Sequence, residues 1–217
     1  MGFASRQDAG RRLARRLKAM AIENPVVLAL PRGGVPVAAE VARELNAPLD
    51  LILVRKIGAP GQPELAAAAI VDGPTPLLVE NESVMRMLGL TSREIGELAK
   101  PALAEIERRR QRYLGGRAPA DVTGKTAIVV DDGIATGTTA KAALKALRTR
   151  QPKSLILAVP VASPDAIAQL RREADRTVTL LEPPGFYAIG PYYGDFHQLT
   201  DDEVMSAFSV AAPASRG

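Results

Sequence analysis

The sequence has no cysteine, a single histidine, and aromatic side chains at only 4% of its 217 residues. Without cysteine there is no disulfide framework and no thiolate metal site, and a reducing, cytoplasmic setting is the expectation. The few aromatics are not interleaved with basic residues, which argues against a stacking platform for single-stranded nucleic acid. Long apolar runs are missing too, so no membrane span is expected. Residues 1–21 are rich in arginine but lack the apolar core of a secretory signal. The one histidine, His197, has no identifiable partner in the sequence, lies outside the three strand-end loops described below, and is read as structural.

Apolar residues make up 47% of the chain, the ordinary share for a globular protein, and the length suits one sizeable core over 1–217. The net charge is +4. Its excess sits at 6–18 and 108–117 and reads as solvated helix faces rather than a nucleic-acid surface.

Periodicity then orders the chain. Ser5 and Asp8 have capping-box spacing before a helical pattern through Met20. Residues 26–30 are a short apolar run, a buried strand entering the Pro31-Arg32-Gly33-Gly34 turn; a helix at 35–46 and a second apolar run at 51–54 follow. The breaker-rich stretch 58–63 reads as mobile, with weaker strands at 66–71 and 77–79. Thr91 and Glu94 start a helix to about Leu114, which Pro101 should kink or interrupt. After a polar connector at 115–124 come a strand at 126–131 and a helix at 138–150, then strand, helix and strand at 155–161, 164–172 and 177–181. Residues 182–195 are rich in Gly, Pro and aromatics, and 211–217 read as a loose end. The alternation predicts a mainly parallel sheet covered by helices on both faces. In such sheets ligands gather beyond the carboxyl ends of the strands, where the strand order reverses. That directs attention to the loops after Leu30, Val54 and Val130, and sets the first strand beside the one at 126–131.

The strongest signal runs from Ile128 to Thr139: a buried strand, Asp131-Asp132 at its end, then Gly133-Ile134-Ala135-Thr136-Gly137-Thr138-Thr139 opening into a helix. A helix N-terminus offers unpaired N–H groups and partial positive charge, suited to a phosphate. Thr136, Thr138 and Thr139 add hydroxyls, and Gly137 allows close backbone approach. Two carboxylates beside a phosphate must face hydroxyls or a metal, which a ribose diol with Mg²⁺ provides. No lysine occupies the turn, so this is not a Walker loop.

Over its whole length this stretch resembles the binding motif of type I phosphoribosyltransferases. Arg32-Gly33-Gly34 resembles the family's pyrophosphate loop in its xanthine-type form, and Arg55-Lys56 the cation pair that orotate and adenine enzymes direct at pyrophosphate. From about Arg6 to Glu203 the chain is similar to a group of bacterial members whose substrate family membership does not fix. The resemblance implies a Rossmann-like, five-stranded, mainly parallel α/β fold with a small hood, and a cytoplasmic homodimer. It also implies Mg²⁺-dependent transfer of a 5-phosphoribosyl group from 5-phosphoribosyl 1-pyrophosphate to a nitrogenous base. Asp131, Asp132 and Lys56 would then be catalytic. Residues Ala135, Thr136, Gly137, Thr138 and Thr139 would cradle the 5-phosphate, and Arg32, Gly33, Gly34, Arg55 and Lys56 would bind pyrophosphate. The metal would meet Asp131 and Asp132 mostly through ligand and water oxygens. Residues 58–71 would form a flexible lid, and 182–197 a base hood with Phe186, Tyr187, Ile189 and Tyr192.

Two positions depart from the pattern. Ala135 replaces the aspartate that hypoxanthine-guanine enzymes place near the base, though adenine enzymes also have alanine there; Ala59 replaces the loop lysine of the orotate and adenine enzymes. The rival readings are a non-catalytic nucleotide sensor on the same fold, nucleotide phosphorolysis or hydrolysis, and, third, nucleic-acid binding.

Overall fold

The apolar runs build two separate sheets in the computed structural model, which describes residues 2–73, 75–115 and 117–211. The chain begins with α1 (Arg6–Lys18), β1 (Pro25–Ala29), α2 (Gly34–Leu45) and β2 (Leu49–Leu51). It continues through β3 (Val54–Ala59), β4 (Gln62–Val71), β5 (Leu77–Glu80), α3 (Glu82–Leu88) and α4 (Ser92–Leu114). The remainder is β6 (Thr126–Val130), α5 (Thr138–Arg148), β7 (Ser154–Val161), α6 (Pro164–Leu170), β8 (Arg176–Leu181), a 3-10 turn at Gly190–Tyr192, and α7 (Asp201–Ala211). Packing divides this chain into two compact units, Met1–Leu51 with Ala120–Gly217, and Ile52–Pro119.

The first unit holds the expected five-stranded sheet, in the order β2-β1-β6-β7-β8 with every neighbouring pair parallel. From β1 the chain crosses to one side, and from β6 through β7 to β8 it crosses to the other. Right-handed crossovers therefore put α2 on one face and α5 and α6 on the opposite face; α1 packs on α2. Strands covered on both faces need apolar side chains throughout, and Val26–Leu30, Ala127–Val130 and Leu155–Val159 are all buried. Large core side chains such as Leu28, Ile128, Leu144, Leu155 and Ile167 are almost wholly enclosed. Each contributes about 1.5–3 kcal/mol relative to an exposed position.

In the second unit β3, β4 and β5 form an antiparallel sheet against which α3 and α4 pack. Three expectations change here. The apolar run at 51–54 is not one strand: β2 ends at Leu51 and β3 begins at Val54 in a different sheet. The division follows Asp50, which is buried and whose carboxylate accepts the N–H of Leu51 and of Ala120, an anchor that hydrophobic periodicity does not register. Residues 58–71 are built as a hairpin that turns at Pro60-Gly61, and the strand expected at 66–71 extends back to Gln62. Finally, α4 runs unbroken through Pro101, secured at its start by the reciprocal Thr91–Glu94 capping box. Helices α3 and α7 add to the elements expected from periodicity, and the loose end expected at 211–217 lies outside the described residues from 212 onward. No described helix is long and apolar enough to cross a membrane.

Candidate active site

Strands β1 and β6 lie side by side in register, so the loops that leave their carboxyl ends emerge together at the point where the strand order reverses. The N–H of Leu30 donates to the carbonyl of Val130 (2.9 Å), and that of Gly34 donates back to Leu30 (3.0 Å). The turn between them, in which the Pro31–Arg32 peptide is cis, presses on the acid pair. A β-carbon at position 33 would fall 2.0 Å from Asp132 Oδ2, and one at position 34 would fall 2.6 Å from the Val130 carbonyl oxygen and 2.9 Å from Asp131 Cα. Only glycine fits at either place, which is the physical content of Arg32-Gly33-Gly34 in this sequence.

The two carboxylates are not equivalent. Asp132 is buried, and Arg6 Nε donates to its Oδ2 at 2.8 Å. Its backbone carbonyl accepts the hydroxyl of the buried Tyr193. Asp131 is half-buried, and its Oδ1 accepts the Asp132 N–H at 2.8 Å. Burial, then the adjacent charge of Asp132, pushes the Asp131 carboxyl well above the usual carboxylate range. Burial also raises Asp132, opposed by Arg6. No group of three or more His, Cys, Asp or Glu placed to hold a metal occurs among the described residues. The oxygen donors here suit Mg²⁺ only where a ligand and water complete its shell, as that ion prefers.

Gly137 adopts the left-handed conformation (φ +75°) as N-cap of α5, without a side-chain cap, and no acid occupies the first turn. The same two absences mark α2, which starts at the Gly33-Gly34 turn. By contrast α1, α3 and α4 are each capped by a side chain, from Ser5, Asn81 and Thr91, and each carries an acid in the first turn. The start of α5 thus leaves its first N–H groups open to an anion, whereas at the start of α2 the N–H groups of Gly34 and Val35 donate to the carbonyls of Leu30 and Arg32 and Pro36 has none. Ala135 and Thr136 are exposed, Gly137, Thr138 and Thr139 half-buried, and the Thr136 and Thr138 hydroxyls lie 3.5 Å apart. Arg32 and the adjacent Gly33 are half-buried.

The tail at 182–197 divides into two groups. Phe186 stacks on Tyr192, and both, with Ile189, pack on the cluster of Phe3, Ala9, Val161 and Tyr193. Ile189 reaches the acid turn, since a β-carbon on Gly133 would meet its Cγ2 at 2.7 Å. Tyr187 is 91% exposed and free of this packing. Arg55 and Lys56 lie within β3 of the second unit, not at the end of a parallel strand, and line a cavity of about 250 Å³ there with Ile57, Gly58, Leu98, Pro101 and Ala102. Ala59 is buried at the end of the same strand.

Sequence reasoning misses Arg6 and Tyr193, which hold Asp132, and treats the arginines at 6–18 as a solvated face. The signal is available: Arg6 follows the Ser5 N-cap directly and is the first residue of α1. His197, structural by the same reasoning and with no partner visible in the sequence, has two, Asp195 at 2.8 Å from Nδ1 and Glu203 at 2.9 Å from Nε2.

A family profile described as phosphoribosyl transferase domain matches residues 4–186. Two Mycobacterium tuberculosis proteins, from strains CDC 1551 and H37Rv and each provisionally named a phosphoribosyl transferase, are 46% identical over 204 residues. The match covers 94% of this chain and 46% of theirs, so the chain spans about half the length of these curated relatives. The crystal structure of TT1426 from Thermus thermophilus is 40% identical, with a TM-score of 0.85 over 98% of this chain and 100% of that one. A hypothetical protein from Neisseria gonorrhoeae with bound ppGpp, 14% identical with a TM-score of 0.50 over 96% of this chain and 97% of its own, shares the fold alone.

Proposed function

The chain belongs to the phosphoribosyl transferase domain family, a family of transferase enzymes, and we propose that it transfers the 5-phosphoribosyl group of 5-phosphoribosyl 1-pyrophosphate to a nitrogenous base. One observation carries the reading: the Asp131-Asp132 pair, the Arg32-Gly33-Gly34 turn and the uncapped start of α5 meet at the ends of adjacent parallel strands. A donor with a terminal phosphate, a vicinal diol and a pyrophosphate matches those three features in kind. The α5 N–H groups with Thr136, Thr138 and Thr139 would take the 5-phosphate, and Asp131 the ribose hydroxyls. Arg32 and the Gly33 N–H would take pyrophosphate oxygens, with Gly34 shaping the turn through its N–H to Leu30. The pyrophosphate role of Arg55 and Lys56, and a catalytic role for Lys56, rest on the sequence resemblance.

In the reaction the acceptor nitrogen supplies the electron pair of the new C–N bond, and the anomeric carbon–oxygen bond breaks with its pair leaving on pyrophosphate. The acceptor's N–H proton is released. Positive charge develops on the sugar, so a carboxylate held beside it gains most in the transition state. Mg²⁺, held by donor and water oxygens with Asp131 beside them, would neutralise the leaving group. The hood residues Phe186, Tyr187, Ile189 and Tyr192 are assigned to the base, with the exposed ring of Tyr187 the one free to stack. The same reading makes the protein a cytoplasmic homodimer.

Ala59 favours one second reading, a sensor that binds the donor or a nucleotide without turnover, because the loop lysine of related enzymes has no counterpart there. Pyrophosphate release in the presence of donor and Mg²⁺, across a panel of nitrogenous bases with nucleotide products identified, separates the two. The enzyme reading expects release that depends on one base class and on Mg²⁺. Tight donor binding with no release for any base would favour the sensor.

A further inference from the structure

Asp132 is tied to the protein at both its side chain and its backbone. Arg6, 126 residues earlier in the chain, donates from Nε to Asp132 Oδ2 at 2.8 Å. The same guanidinium donates from Nη1 to the His197 carbonyl at 3.0 Å, and its face lies 4.1 Å from the Phe196 ring centroid. Phe196 in turn stacks on Tyr193, whose hydroxyl donates to the Asp132 carbonyl. Arg6 and Asp132 are each only 7% exposed, and Gly33 closes against Asp132 so tightly that no side chain fits between them. Asp131 keeps a half-buried side chain one residue away.

A buried ion pair is a poor source of stability, because desolvation of both charges consumes most of their attraction. Well-packed apolar residues would hold α1 to β6 as firmly. The arrangement has a use if the orientation of the acid turn matters. A planar guanidinium that meets a carboxylate, a carbonyl and a ring at once has one position, and it fixes Asp132 in one position with it.

We propose that Arg6 is a positioning residue: it commits Asp132 to the protein frame and thereby presents Asp131 as the carboxylate that meets the ribose diol. The proposal rests on the phosphoribosyl reading of the site. It divides the acid pair into one anchor and one ligand-facing group, and it makes the N-terminal helix part of the site's machinery.

The test compares two probes that differ by the diol. Inorganic phosphate reports on the α5 turn alone, whereas ribose 5-phosphate adds the hydroxyls. Both are titrated into wild type, R6M, R6K and D131N, each first shown to be folded by its melting transition. The wild type should bind ribose 5-phosphate more tightly than phosphate, and D131N should lose that advantage. R6M should lose it as well, by about tenfold or more, the scale of one charge-assisted hydrogen bond, while its phosphate affinity stays at the wild-type level. R6K, which keeps the charge but not the fork, should recover the melting temperature more completely than the diol advantage. If R6M does not fold, R6K alone decides by the same comparison. A folded Arg6 variant with the full wild-type advantage for ribose 5-phosphate overturns the proposal. A wild type that binds neither probe overturns the underlying reading instead.

Discussion

Gly33 lies against the carboxylate of Asp132, with room for a hydrogen and not for a methyl: a β-carbon there would sit 2.0 Å from Oδ2 and 2.4 Å from Cγ. The displaced group would be a buried carboxylate held by Arg6, not the free end of a flexible side chain. Gly33→Ala should therefore cost about 1–3 kcal/mol of stability, the range for overpacking, and weaken donor binding at the same time. Denaturant melts and donor titration of the variant check this; wild-type values in both would show that the two loops are not interlocked.

Asp131→Asn should stabilise the protein at neutral pH. Burial and the charge of Asp132 raise the folded-state carboxyl above its ordinary value of 3.8. A carboxyl raised on folding contributes stability that is full below 3.8 and is lost as pH rises through the higher folded value. Asparagine has no such loss, so the gap in melting temperature should open as pH rises from about 4. A gap that stays constant across that range would mean that Asp131 titrates as it does in the unfolded chain.

His197 gives a pH dependence of the same direction from a group of the opposite charge. Its hydrogen bonds to Asp195 and then Glu203 raise the imidazole above its ordinary 6.5. The stability it lends the start of α7 is complete below 6.5 and is lost as pH climbs through the raised value. Amide exchange in Asp201–Ala211, corrected for intrinsic rate, should show protection that falls over this range in wild type and stays flat in His197→Gln. Equal pH dependence in the two proteins would contradict a stabilising role for the His197 bonds to Asp195 and Glu203.

The hairpin at 58–71 is proposed to order further when the donor binds, because closure would exclude water from a cation-like centre. Amide exchange with and without donor plus Mg²⁺ should show slower exchange at the turn residues Ala59–Gln62 in the bound state. Identical protection in both states removes the lid from the account.

The parallel sheet and its switch point were legible because both depend on short apolar runs, and a parallel strand buried on two faces leaves no other pattern. The Asp131–Thr139 turn was legible for a related reason: its acids, glycines and hydroxyls are local in sequence. The anchors of that turn were not. Arg6 and Tyr193 reach Asp132 from opposite ends of the chain, and an arginine that opens an amphipathic helix has the same letter whether it faces water or a buried carboxylate. The division between β2 and β3 was hidden likewise, in the long-range acceptor Asp50. Helix α7 went unread because its apolar face, with Val204 and Phe208 buried, spans only two turns.

Calorimetric titration of 5-phosphoribosyl 1-pyrophosphate with Mg²⁺ into wild type and Asp131→Asn reads whether the Asp131–Thr139 turn serves a phosphoribosyl donor. Asp131→Asn keeps the shape of the half-buried side chain and leaves the Arg6–Asp132 pair intact. Wild type should bind saturably, and the folded variant should lose about 1–3 kcal/mol of affinity, the range for a charge-assisted hydrogen bond. Equal affinity in the two proteins, or no binding by folded wild type, would contradict that role of the turn.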